Sequence, residues 1–72
     1  MNTTDLQNRL ARLVSGETLL VLAAEIEQAF DFYPSPEQRR EAAGDLAALY
    51  QRSILFCGPG ESQALFTRQD HL

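Results

Sequence analysis

Apolar residues in the first 14 positions recur at the spacing of one helical face. Thr4 and Gln7, three residues apart, have the pattern of a capping box that begins a helix. We therefore predict a first helix over residues 5–14, ended by Ser15 and Gly16. The apolar residues of its face are Leu6, Leu10, Leu13 and Val14.

The second predicted helix contains the longest apolar run of the chain, LLVLAA at residues 19–24. Leu20, Val21 and Ala24 project to the side opposite its core stripe, so the first half of this helix is apolar on nearly every side. A chain of 72 residues has few other elements to cover them, which indicates a partner surface. The predicted core stripe is Leu19, Leu22, Ala23, Ile26, Ala29, Phe30 and Tyr33.

A third helix is predicted to begin at the segment Ser35-Pro36-Glu37-Gln38. Serine is a favoured N-cap, proline fits the first helical position, and glutamine three residues after the serine closes a capping box. Pro34 and Pro36 exclude helical conformation before them, so the second helix should end at Tyr33 and pack antiparallel to the third.

The C-terminal third has two interpretations. In one, the third helix runs to Cys57, stops at Gly58-Pro59, and a short fourth helix follows over residues 62–68. In the other, residues 54–57 and 64–67 form two strands of a hairpin around the loop at residues 58–61. The glycine–proline stop favours the helical ending.

These patterns predict a mainly all-α fold, a small bundle of about three helices with a C-terminal short helix or β-hairpin. It forms a single domain over residues 1–72, with residues 1–4 disordered and residues 69–72 a frayed tail. A chain this short buries only about 60% of its unfolded surface. Cys57 is the only cysteine and, with His71, the only soft metal ligand, so neither a disulfide nor zinc offers support. Homodimerisation is the remaining way to complete the core.

Composition narrows the classes of partner. Hydrophobic residues make up 44% and charged residues 22% of the chain, as in folded globular proteins. Ten acidic residues against six basic ones give a net charge of −4, so nucleic acid is an unlikely partner.

No basic leader is visible and no apolar run reaches the roughly 18 residues that span a bilayer, so we expect a cytoplasmic protein without a membrane partner. All six basic residues are arginine, which indicates a GC-rich bacterial or phage genome.

Catalytic, cofactor and metal motifs are not evident. Glu25 and Glu27 lie about 200° apart around a helix and cannot converge on one atom. The loop at residues 58–62 lacks the lysine of a phosphate-binding loop, and a Cys57–His71 pair would need the tail to fold back. We therefore expect no enzymatic activity and no cofactor.

The resulting hypothesis is a small acidic protein-binding module: an adaptor, chaperone or inhibitor of another protein that itself forms a homodimer. The alternative is a small dimeric DNA-binding transcriptional regulator, with Arg39, Arg40 and Arg52 directed to DNA by the third helix. Arg39, Arg40 and Glu41 are the candidate polar contacts in the first hypothesis. The predicted partner or dimer interface of this protein-binding module consists of Leu20, Val21, Ala24, Phe32, Phe56, Leu65 and Phe66.

Overall fold

Helices and strands both contribute to the fold, in a computed structural model that describes residues 1–68. Three helices pack with a three-stranded antiparallel sheet, so the prediction of a mainly all-α bundle is wrong. The elements in chain order are α1 (Thr3–Arg12), β1 (Thr18–Leu22), α2 (Ala23–Ala29), α3 (Pro36–Leu49), β2 (Arg52–Cys57), a 3₁₀ turn (Pro59–Glu61) and β3 (Gln63–Arg68).

The sheet has the strand order β1–β3–β2, with the last strand of the chain in its centre. β3 pairs with β2, to which the 3₁₀ turn connects it. β3 also pairs with β1, which lies much earlier in the chain. Leu19 lies opposite Phe66, and Phe66 lies opposite Ile54, which fixes the register across all three strands.

The apolar run at residues 19–24 is divided between a strand and a helix. In β1 the burial alternates with the two-residue period of a strand: Val21 is 2% exposed, whereas Leu20 and Leu22 are both 56% exposed. The helix predicted over this run begins only at Ala23 and ends at Ala29 rather than at Tyr33. A short apolar run fits either structure, and here the pairing with β3 selects the strand.

The start of α3 is as predicted, but its end is not. Ser35 caps the helix, accepting a hydrogen bond from the Gln38 amide at 3.2 Å, and Pro36 occupies the first turn. The helix ends at Leu49, and Gln51 takes the left-handed conformation (φ 58°) that turns the chain into β2. Of the two C-terminal interpretations the structure therefore has the hairpin, and the favoured helical ending at Cys57 is wrong.

Helix α1 begins earlier than predicted. Asn2 caps it by accepting a hydrogen bond from the Asp5 amide at 2.8 Å, so the capping box expected at Thr4 is not used. Met1 packs against the hydrophobic core, and Thr3 and Thr4 lie in the first turn of α1. The predicted frayed tail, residues 69–72, lies outside the described residues.

The core fills the space between the three helices and one face of the sheet. Side chains from that face, among them Val21, Ala64 and Phe66, are almost completely buried. They pack with buried residues from each helix, so the fold has a helical layer and a sheet layer. The helical members of the core are Leu6, Leu10, Ile26, Ala29, Ala43, Leu46 and Ala47.

Candidate functional site: the outer face of the sheet

The face of the sheet that points away from the core is the candidate site. Successive side chains of a strand point to opposite faces, and the residues that alternate with the core positions define this outer face. None of its nine side chains is charged. They are Thr18, Leu20 and Leu22 of β1, Gln63, Leu65 and Thr67 of β3, and Ser53, Leu55 and Cys57 of β2.

Three leucines form a continuous row across the middle of the outer face. Leu65 on the central strand lies opposite both Leu20 and Leu55, and side chains in such register are about 4.5–5.5 Å apart at Cβ. Leu55 is 62% exposed, and Leu65 is half-buried between its neighbours. This leucine row is an apolar strip that no other part of residues 1–68 covers.

Two further rows flank the leucine row. Thr18, Thr67 and Ser53 are in register on one side of it and present three hydroxyl groups. On the other side, the row consists of Leu22, Gln63 and Cys57, with Cys57 a half-buried free thiol. The outer face thus offers apolar contact and uncharged hydrogen-bonding groups.

The interface residues predicted from the sequence are dispersed by the fold. Leu20 and Leu65 lie together in the leucine row. Val21 and Phe66, at 2% and 0% exposure, belong to the core, and Phe56 is half-buried on the same inner side of the sheet. Ala24 is exposed at the start of α2, and Phe32 is 67% exposed in the connection between α2 and α3.

Leu22 and Leu55 are the exposed apolar residues of the outer face that the predicted interface does not include. The sequence pattern predicts Leu22 in the core stripe of a helix and gives no interface role to Leu55. The strand interpretation of residues 54–57 contained the signal, since a two-residue period places Leu55 on the side opposite Ile54 and Phe56.

The arginines proposed as DNA contacts all bind other parts of the chain. Arg39 donates from Nε to the Tyr33 carbonyl oxygen at 3.0 Å, and its Nη1 lies 3.8 Å from Glu27 Oε1. Arg40 forms an ion pair with Glu61, with 2.5 Å between Nη1 and Oε2.

Arg52, the third of these arginines, donates hydrogen bonds to backbone carbonyl oxygens, among them Leu10 and Leu13. Glu41, the acidic member of the predicted polar contacts, is exposed on α3. A DNA-binding mode would have to break these intramolecular contacts of the arginines.

The exposed side of α3 is acidic. Glu37, Glu41 and Asp45 follow one another at four-residue intervals and are all exposed. Beside them lies an open groove of about 220 Å³, lined by Tyr33, Gln38, Glu41, Ala42 and Asp45.

Two consecutive helices, α2 and α3, precede the β2–β3 hairpin. The second helix of a helix-turn-helix pair enters the major groove. If α2 and α3 formed such a pair, α3 would be the helix in the groove, and it exposes the acidic residues Glu37, Glu41 and Asp45.

Within residues 1–68, no three histidine, cysteine, aspartate or glutamate side chains come close enough to hold a metal ion. The Cys57–His71 pair set aside in the sequence analysis includes His71, which lies outside the described part of the chain. None of the described helices is long and apolar enough to cross a membrane.

Comparisons with protein-family models, with curated proteins and with solved structures find no match to this chain.

Proposed function

We propose that this chain is a non-enzymatic protein-binding module, an adaptor, chaperone or inhibitor of another protein, and that the outer face of the sheet is its contact surface. The observation that carries the proposal is the leucine row, Leu20–Leu65–Leu55, exposed in the middle of an uncharged face. A depletion of charge around a buried apolar centre is typical of the core of protein–protein interfaces.

Burial of the exposed leucines on this surface would contribute favourably to a protein contact. Full burial of a leucine side chain contributes about 1.5–3 kcal/mol, and Leu20, Leu22 and Leu55 each retain more than half of their exposure. Covering the three side chains therefore contributes roughly 3 kcal/mol before the cost of association. The polar groups of the flanking rows can form hydrogen bonds that orient the bound partner.

Charge supports a protein partner over DNA. The net charge is −4, and the helix in the position of a recognition helix exposes Glu37, Glu41 and Asp45. Affinity for DNA comes largely from cations that neutralise phosphates. The electrostatics of the chain are therefore unfavourable for the transcriptional-regulator alternative.

A capture experiment with matched variants tests the proposal. The tagged chain, Leu55→Asp and Leu49→Asp are incubated with lysate of the source organism, and retained material is analysed by mass spectrometry and nucleic-acid staining. Leu49 is the control because it is 79% exposed on α3, away from the outer face, and its substitution changes the charge equally.

The expected result is a stoichiometric protein, either a different polypeptide or the untagged chain, that the wild type and Leu49→Asp retain and Leu55→Asp loses. Equal retention by all three would overturn the outer face as the contact surface. Retention of nucleic acid that is lost at high salt would favour the regulator instead.

A further inference from the structure

We propose that the occupant of the outer face is a second copy of this chain, packed sheet to sheet around a two-fold axis parallel to β3. This inference rests on the proposed function and names the partner for the same surface. It follows from two observations, the chemistry of the three cross-strand rows and the distribution of charge. The size of the face then limits the strength of the dimer.

The register makes the outer face self-complementary. A two-fold axis parallel to the central strand places β1 of one copy over β2 of the other and β3 over β3, while each cross-strand row stays at its own level. The leucine row then meets the leucine row, with Leu20 over the partner's Leu55 and Leu65 over the partner's Leu65.

The flanking rows also match under this axis. Thr18 meets the partner's Ser53, and Thr67 meets its own counterpart, so hydroxyl groups face hydroxyl groups. A two-fold axis perpendicular to the strands would instead place the hydroxyl row over the row that contains Leu22 and Cys57. All three rows face rows of the same kind only under the axis parallel to β3.

Charge limits where two copies can meet. Each copy carries a net charge of −4, and a contact through the acidic side of α3 would bring Glu37, Glu41 and Asp45 against a like-charged surface. The outer face contains no charged side chain, so two copies can pack there without burying an unpaired charge. Electrostatic repulsion thus opposes contact through the acidic side of α3 more strongly than contact through the outer face.

The size of the face sets the strength of the dimer. Three strands about 4.8 Å apart and three rows about 6.7 Å apart make a patch of roughly 14 by 20 Å, or about 300 Å². Two such patches together are smaller than the roughly 1,200–2,000 Å² that stable complexes bury. The dimer is therefore reversible and depends on concentration, and each copy keeps its own folded core.

A complementation experiment tests both the occupant and the axis. Leu20→Lys and Leu55→Glu are prepared separately, and each is measured alone and in an equimolar mixture by sedimentation over a wide concentration range. Under the proposed axis, the lysine at position 20 of one copy lies over the glutamate at position 55 of the other. The control mixture is Leu20→Lys with Leu55→Lys, in which like charges meet.

The expected result is a concentration-dependent wild-type dimer, at least tenfold weaker association of each single variant, and recovery in the Leu20→Lys plus Leu55→Glu mixture alone. Recovery also shows that both variants are folded. A wild type that stays monomeric overturns the second copy as occupant, and single variants that still dimerise overturn the outer face. Weakened variants with no recovery in the mixture overturn the axis.

The capture experiment separates this inference from the proposed function. If the wild type stays monomeric but retains a different protein that Leu55→Asp loses, only the second copy is overturned. If the wild type is monomeric and no protein depends on Leu55, the proposed function falls as well.

Discussion

Arg52, the first residue of β2, donates a hydrogen bond from Nε to the carbonyl oxygen of Leu10 in the last turn of α1, at a distance of 3.0 Å. Its Nη2 donates to the Leu13 carbonyl oxygen, also at 3.0 Å, and its Nη1 donates to the Tyr50 carbonyl oxygen. The guanidinium group thus joins the end of α1 to the sheet. The Leu10 carbonyl oxygen also accepts a hydrogen bond from the Leu13 backbone N–H at 3.2 Å.

Replacing Arg52 with alanine is expected to destabilise the fold by about 2 kcal/mol. Hydrogen bonds from a charged donor contribute roughly 1.5–3 kcal/mol, and a cation near the C-terminus of a helix is favoured by the helix dipole. Urea unfolding followed by circular dichroism measures the change. Arg12→Ala, on the exposed side of α1, is the control and should change the free energy of unfolding by less than about 0.5 kcal/mol.

The N-terminal cap provides a second prediction. Asn2→Ala removes the acceptor for the Asp5 amide and should cost about 1 kcal/mol. Thr4→Ala should be neutral or slightly stabilising, since Thr4 is exposed inside α1 and alanine has the higher helix propensity. Urea unfolding of the two variants shows which side chain caps α1. A larger loss of stability from Thr4→Ala than from Asn2→Ala would support the capping box expected from the sequence.

Two glycines predict opposite effects of the same substitution. In Gly44→Ala the new Cβ would lie 3.6 Å from Ile54 Cγ2, an ordinary van der Waals contact, and alanine is favoured in a helix. The free energy of unfolding should rise by about 0.5–1 kcal/mol. Gly16 has a φ of 82°, a left-handed conformation that is unfavourable for alanine. Gly16→Ala should therefore lower the free energy of unfolding by about 1 kcal/mol, although the space around the site is open. Thermal unfolding of both variants shows whether each substitution raises or lowers stability. A Gly44→Ala variant that is less stable than the wild type would contradict the packing of α3 on β2.

Arg40 joins α3 to the hairpin through two different contacts. It pairs with Glu61, and its guanidinium carbon lies 4.9 Å from the centre of the Phe56 ring. Glu61→Gln removes only the ion pair, which is largely exposed, and should cost no more than about 0.5 kcal/mol. Arg40→Ala also removes the contact with Phe56 and should cost about 0.5–1 kcal/mol more. Equal losses in the two variants, measured in urea, would show that the aromatic contact contributes nothing.

The sequence predicts those parts of the fold that depend on neighbouring residues. Ser35, Pro36 and Gln38 contain all the information for the start of α3, because an N-cap is made within four residues. Val21 is different: its environment depends on Ala64, 43 residues further along the chain, in the opposite position of β3. Without that partner, an apolar run of six residues fits a helix as well as a strand.

The candidate site was only partly predictable for the same reason. The sequence predicts Leu20 in an interface on an uncovered side of a helix. In the structure Leu20 is exposed because successive side chains of β1 point to opposite faces of the sheet. Leu65 was included as an apolar residue near the chain end, and Leu55 was not. The leucine row exists only through the register of three strands, two of which follow α3.

Dilution of the isotopically labelled wild-type chain, followed by two-dimensional amide NMR, tests the central claim most directly. A second copy bound to the outer face predicts concentration-dependent shifts concentrated on β1, β2 and β3, strongest around Leu20, Leu55 and Leu65, with α3 unaffected. Spectra that do not change with concentration, or changes centred on Glu37, Glu41 and Asp45, would contradict it.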